Sequence, residues 1–151
     1  MALEIGKKAP DFTLLDQDGN KVKLSDFKGK SVVVFFYPKA MTPGCTREAC
    51  DFRDEVAAFK RKKVAVLGIS KDTPAGQKKF QAKYELPFPL LSDADLEVQK
   101  AWGVWGEKTM YGKKVFGTIR TTVVVGPDGK VQQVFAKVKV DGHVGSVLEA
   151  L

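Results

Sequence analysis

The sequence predicts one α/β domain: a central mixed β-sheet flanked by helices, with an N-terminal β-hairpin. Two apolar runs carry that expectation, Val32-Val33-Val34-Phe35-Phe36 and Val64-Ala65-Val66-Leu67-Gly68-Ile69, each followed by a helix-compatible stretch. A strand that is apolar at nearly every position has both faces covered, as in the centre of a layered α/β sheet. The third observation is Gly126-Pro127-Asp128-Gly129 between two strand-like runs, a hairpin signal that adds antiparallel strands to the sheet.

Taken in order, Asp11-Phe12-Thr13-Leu14-Leu15 reads as a short strand, and Asp18-Gly19-Asn20 turns it into Lys21-Val22-Lys23-Leu24, completing a hairpin. After the first buried strand, Ala49, Phe52, Val56 and Phe59 recur at steps of three or four, which predicts one helix over 46–62. Its basic end, Lys60-Arg61-Lys62-Lys63, complements the helix dipole. Asp72-Thr73-Pro74 supplies a cap and a first-turn proline for a second helix that runs to about Tyr84 and stops before Leu86-Pro87-Phe88-Pro89. Ser92-Asp93-Ala94-Asp95 caps a shorter helix through Trp102, and residues 103–117, with four glycines and no clear period, read as loop. Strands at 121–125 and 130–138 and a helix from His143 to Leu151 complete the chain. No linker, repeat or composition break interrupts this order, so residues 1–151 form a single domain. The order is compatible with the thioredoxin-like class, although order alone does not separate that class from other small α/β folds.

With 151 residues, 44% of them hydrophobic and 28% charged, the chain can build one sizeable core, which excludes disordered and collagen-like readings. The longest uninterrupted apolar run, Val32 to Tyr37, is far too short to cross a bilayer. Met1-Ala2-Leu3-Glu4-Ile5 lacks the basic-then-apolar pattern of an export signal, so the expected compartment is the cytoplasm. The net charge of +7 is spread along the chain and rests mostly on lysine, the four arginines being Arg47, Arg53, Arg61 and Arg120. That describes a solvated surface rather than a nucleic-acid or membrane patch, since base-edge and phosphate recognition favours arginine.

Cys45 and Cys50 are too few for a disulfide-framework domain, and with His143 as the single histidine they do not complete a structural zinc site. Cys45 falls where a buried strand opens into a helix. Unpaired N–H groups at a helix N-terminus favour a thiolate, the nucleophilic form of cysteine. The alternative, a small buried hydrophobe, fits poorly with a junction of Pro, Gly and Thr. Cys50 lies five residues on. In an unbroken helix those Cα atoms stand about 8–9 Å apart, whereas a disulfide needs less than about 7 Å. A Cys45–Cys50 bond therefore requires the first helical turns to unwind, and two unrelated thiols remain the alternative.

Pro38, Thr42 and Cys45, spaced as Pro, three residues, Thr, two residues, Cys, resemble the peroxiredoxin signature. The fuller Phe-Tyr-Pro-Lys, Thr-Pro-Gly-Cys-Thr and Glu-Ala-Cys resembles the Q type, the bacterioferritin comigratory proteins. Ala9-Pro10-Asp11-Phe12, Met110-Tyr111-Gly112-Lys113, Arg120-Thr121-Thr122 and Gly142-His143 extend the resemblance over nearly the whole chain.

The resemblance implies a thiol-dependent peroxidase of hydrogen peroxide and organic hydroperoxides, without cofactor or metal. Cys45 would attack the peroxide, Thr42 would hydrogen-bond thiolate and peroxide, and Pro38 would shield the pocket. Arg120 would hold the thiolate and polarise the peroxide, and Glu48 would position an arginine. Cys50 would resolve the sulfenic acid as a disulfide, reopened by thioredoxin or an equivalent dithiol. A monomer is implied. His143 reads as structural, and Trp102, Trp105 and Phe116 as core or pocket wall. Two rivals are a general dithiol–disulfide oxidoreductase on the same fold and a non-catalytic redox switch or basic binding module.

Overall fold

A computed structural model describes residues 3–151. Met1 and Ala2, the start of the segment read for an export signal, lie outside the described residues. Strands β1 (Thr13–Leu15) and β2 (Lys21–Lys23) form the N-terminal hairpin, and a 3-10 turn at Leu24–Phe27 leads into β3 (Ser31–Phe36). Helices α1 (Pro43–Asp54) and α2 (Val56–Arg61) connect β3 to β4 (Val64–Ser70), and α3 (Pro74–Tyr84) connects β4 to β5 (Leu90–Ser92). Helix α4 (Glu97–Ala101) precedes a separate hairpin of β6 (Trp105–Met110) and β7 (Lys113–Thr118). The chain closes with β8 (Thr121–Val125), β9 (Val131–Phe135) and α5 (His143–Glu149).

The main sheet has the order β2-β1-β5-β4-β3-β8-β9. Strands β3, β4 and β5 are parallel, whereas β8 runs antiparallel to β3 and the β1–β2 hairpin antiparallel to β5. This is the expected mixed sheet, with a thioredoxin-like arrangement of helices on its faces. Side-chain alternation along β3 sorts the core into two layers. Val33, Phe35 and Tyr37 pack with Ala49, Phe52, Phe80 and Val147 of α1, α3 and α5. Val32, Val34 and Phe36 pack on the opposite face with Leu67, Leu91 and Trp102.

Several expectations need correction. The helix expected over 46–62 is two helices, because Glu55 leaves helical geometry at φ −106 and ψ 6. Its periodicity persists across the break because Phe52 and Phe59 both insert fully into one core. The segment 103–117, expected to be loop, is the β6–β7 hairpin, turned by Tyr111 and Gly112 at φ 51 and φ 76. Strand β5 is new; three residues are too few to show a period. The first strand starts at Thr13; before it, the Asp11 carboxylate accepts the N–H groups of Phe12 and Ser25, and residues 11–12 pair with no strand among the described residues. Phe116 is 72% exposed and Trp105 half-buried, so of the three aromatics only Trp102 belongs to the core.

Gly68 is required by packing at the centre of the sheet. A Cβ there would stand 2.9 Å from both Leu90 Cδ2 and Phe35 Cζ. Gly68→Ala is expected to destabilise the fold by about 1–3 kcal/mol, the cost of overpacking a dense core. A lower urea midpoint at unchanged slope would confirm it, and an unchanged midpoint would show that the core yields.

Candidate active site

The carboxyl ends of the parallel strands are where open α/β sheets place their chemistry. Here β3 ends at Phe36, and antiparallel pairing sets Phe36 opposite Thr121, the first residue of β8. The register therefore brings Arg120 to the end of β3, where the chain turns through Pro38 and Thr42 into α1. Distant sequence segments meet because of one strand pairing.

Thr42 is the N-cap residue of α1, in extended geometry at φ −78 and ψ 152, and Pro43 occupies the first helical position. Cys45 follows in the first turn and is almost wholly buried. Arg120 Nη2 donates to Cys45 Sγ at 3.3 Å, and Arg120 Nη1 donates to Glu48 Oε1 at 2.7 Å. Glu48, one helical turn after Cys45, is fully buried. One guanidinium thus spans a sulfur and a carboxylate on the same face of α1, using the fixed fork that lysine lacks. A Cβ at Gly44 would stand 3.2 Å from Arg120 Nη2, so a larger residue there would press on the guanidinium.

Arg120 lies just before β8, not within it. The Thr42 hydroxyl donates to the Lys39 carbonyl at 2.7 Å, closing the turn; its lone pairs are left to accept. Pro38 is half-buried immediately after Tyr37. Cys50 lies on α1 with Cys45, partly exposed, and both thiols are free. Burial raises the Cys50 pKa, opposed by Arg53. Arg47, the neighbour of Glu48 in sequence, points away from this group and bridges to Asp141 at the surface.

His143 opens α5 as expected, but it also stands beside this group. Its Nε2 is 2.7 Å from Thr122 Oγ1 and 3.9 Å from Glu48 Oε2, an oxygen with no hydrogen-bond partner among the described residues. Phe52 and Phe135 meet the ring edge to face. Sequence position hid this neighbour, and the one available signal was a lone histidine at a predicted helix start.

Burial pushes the Glu48 carboxyl up to about 7, against the opposing pull of Arg120. Burial, and then the charge of Arg120, lowers His143 to about 4. Their linkages to folding have opposite signs. As pH falls from about 7 to 4.5, folded Glu48 takes its proton before the unfolded chain does, which stabilises the fold. As pH falls from 6.5 to about 4, the unfolded chain protonates its histidine first, which destabilises the fold. The two slopes offset each other in the wild type. Glu48→Gln is therefore expected to lose more stability than wild type between neutral and mildly acidic pH, and His143→Gln to lose less. Urea unfolding across that window checks both signs, and parallel profiles for all three proteins would refute them.

A buried thiol at the start of a helix on a thioredoxin-like sheet, with a guanidinium on its sulfur, is the framework of an enzyme that attacks through a thiolate. Comparison with known proteins gives the family. The AhpC/TSA family model matches residues 5–134. The putative peroxiredoxin bcp of Coxiella burnetii is 48% identical over 151 residues, covering all of both chains. Peroxiredoxin Bcp of Bacillus subtilis is 44% identical over all of this chain and 96% of its own. Among solved structures, the Xanthomonas campestris bacterioferritin comigratory protein, described with an alkyl peroxide reduction activity, superposes with a TM-score of 0.90 at 39% identity, covering 98% of this chain and 94% of its own. Peroxidoxin BcpB of Mycobacterium tuberculosis superposes at 0.87 and 39%, covering 98% and 96%. The chain belongs to the AhpC/TSA family and, within it, to the Q-type or Bcp peroxiredoxins, thiol-dependent peroxidases that use thioredoxin-like reductants.

Proposed function

We propose that Cys45 is the peroxidatic residue and Cys50 its resolving partner. The observation that supports this most directly is the Arg120 donor 3.3 Å from Cys45 Sγ. The Cys45 thiolate attacks one peroxide oxygen and the O–O bond breaks. Water or an alcohol leaves once the departing oxygen has taken a proton, and Cys45 becomes a sulfenic acid. Arg120 stabilises the charge that moves from sulfur to the leaving oxygen, and Glu48 fixes the guanidinium. Thr42 offers its hydroxyl oxygen to the substrate's O–H, and Pro38 shields one side of the pocket. The Cys50 thiol then displaces the sulfenic oxygen as water, forming the disulfide, and a dithiol restores both thiols by exchange.

Thioredoxin is the proposed reductant, and hydrogen peroxide and alkyl hydroperoxides are the substrates, the latter supported by the activity described for the Xanthomonas relative. Residues 1–151 act as one catalytic domain, as a cytoplasmic monomer that takes up neither nucleic acid nor membrane. Among the described residues no helix is long and apolar enough to cross a membrane.

Both cysteines sit on the uninterrupted α1, so the disulfide requires its first turns to open. After one equivalent of peroxide, peptide mapping is expected to find Cys45 joined to Cys50, with faster amide exchange over 43–50. A verified bond with unchanged exchange would refute the opening. Oxidised protein joined only between chains would refute the intramolecular cycle.

A further inference from the structure

The turn between β3 and α1 has a foundation that shares no residue with the Cys45–Arg120–Glu48 group. Tyr37 precedes Pro38, and its hydroxyl donates to Gln77 Oε1 of α3. Gln77 Nε2 donates both to Ser70 Oγ, at 2.9 Å, and to the Leu91 carbonyl, at 2.8 Å. Ser70 Oγ donates to Asp72 Oδ2 at 2.6 Å, and the same carboxylate oxygen accepts the Ala40 N–H at 2.8 Å. Gln77 and Ser70 are fully buried. Both donors and the acceptor of the Gln77 amide are engaged, and Ser70 Oγ also accepts the Asp72 N–H. A network satisfied in this way holds one arrangement rather than several.

The network grips the segment Tyr37–Ala40 at both ends. Tyr37 is held by its hydroxyl and by its N–H on the Ile69 carbonyl, and Ala40 by Asp72. The next residue, Met41, sits at φ 69, a left-handed conformation that a methionine adopts only under constraint. Thr42 follows directly as the cap of α1.

We propose that Asp72 is a positioning residue for the peroxidase reaction: by holding the buried Ala40 N–H, it fixes where Pro38 and Thr42 stand relative to Cys45. Without that carboxylate the Ala40 donor loses its partner, and the turn relaxes toward others. Peroxide must lie in line with the attacking sulfur, so a displaced pocket wall slows oxygen transfer much more than it slows a reagent needing only the thiolate.

The test compares two rates at Cys45 in wild type and Asp72→Ala: oxidation by hydrogen peroxide, and alkylation by iodoacetamide, with mass spectrometry to assign the modified residue. Asp72→Ala is expected to lower the peroxide rate constant by about tenfold or more, while the alkylation rate stays within about twofold of wild type. Asp72→Asn, which keeps an acceptor for Ala40, is expected to recover most of the loss. An unchanged peroxide rate, or equal losses in both rates, would overturn the proposal. Should Asp72→Ala fail to fold, Ser70→Ala removes the hydroxyl that orients the carboxylate, and the same divergence is required of it. The inference rests on Cys45 being the attacking thiol, and Cys45→Ser in the same assay separates the two readings. A still-active Cys45→Ser would end the site assignment, whereas wild-type rates in Asp72→Ala end only this one.

Discussion

Cys45→Ser is expected to abolish peroxide consumption whichever reductant is supplied, a loss of more than about 10⁴-fold. A serine hydroxyl stays un-ionised at neutral pH, and the side chain hydrogen-bonded to Cys45 Sγ is a guanidinium, which cannot act as a base. Among the described residues no base is hydrogen-bonded to that position to activate the replacement. Cys50→Ser is expected to behave differently. Attack on peroxide remains, and a small thiol such as dithiothreitol reduces the Cys45 sulfenic acid directly, so that activity persists. Turnover coupled to thioredoxin falls steeply, because its substrate is the disulfide. Consumption of hydrogen peroxide by the three proteins with each reductant decides the matter. Activity in Cys45→Ser would remove Cys45 from the chemistry, and full thioredoxin-coupled turnover in Cys50→Ser would remove Cys50.

Arg120→Met is expected to lower kcat/KM for peroxide by about 10²–10³-fold, as deletion of a preorganised donor to a developing charge does elsewhere. The same guanidinium compensates the buried Glu48 carboxylate, so its removal also leaves an acid without a partner. Glu48 would then retain its proton to higher pH, and the fold would lose stability at neutral pH more than in mild acid. Arg120→Lys is expected to recover only part of the rate, since one ammonium does not present two fixed donors toward Sγ and Oε1. Peroxide kinetics alongside urea unfolding separate the two effects. A kcat/KM within about threefold of wild type in Arg120→Met would refute the role given to this side chain.

The elements that build the centre of the sheet were legible because burial leaves a plain trace in composition. The runs at 32–36 and 64–69 are apolar throughout, and β3 and β4 occupy those positions. Elements that bury little leave little trace. Strands β6 and β7 carry Glu107, Lys108, Lys113 and Lys114 and expose Met110 and Phe116, so no alternation betrays them. Their only local mark is the Tyr111-Gly112 turn. At the site, Pro38, Thr42, Cys45, Glu48 and Cys50 could be read as one contiguous motif. Arg120 was reachable only through resemblance, because what brings it to Cys45 is the pairing of Phe36 with Thr121. Asp72-Thr73-Pro74 read as a helix start, and Thr73 does the capping, accepting from the Gly76 N–H; nothing in the sequence showed that the Asp72 carboxylate goes to Ala40. Side-chain networks between segments 30 or more residues apart have no periodicity to reveal them.

The break between α1 and α2 at Glu55 bears on how quickly an oxidised molecule can protect itself. Phe52 stacks on Phe35 with ring centroids 4.6 Å apart, and Phe59 lies beyond the break in the same core. Opening of α1 up to Cys50 therefore unpacks the smaller buried residues Cys45, Glu48 and Ala49 but stops short of Phe52, the aromatic anchor of the helix on the sheet, and α2 is spared. The disturbance is local: about two turns open while the aromatic contacts of the helix hold. On the proposed cycle, this opening competes with the arrival of a second peroxide at the sulfenic acid. How readily that short segment opens then decides whether the disulfide or the irreversible sulfinic acid forms.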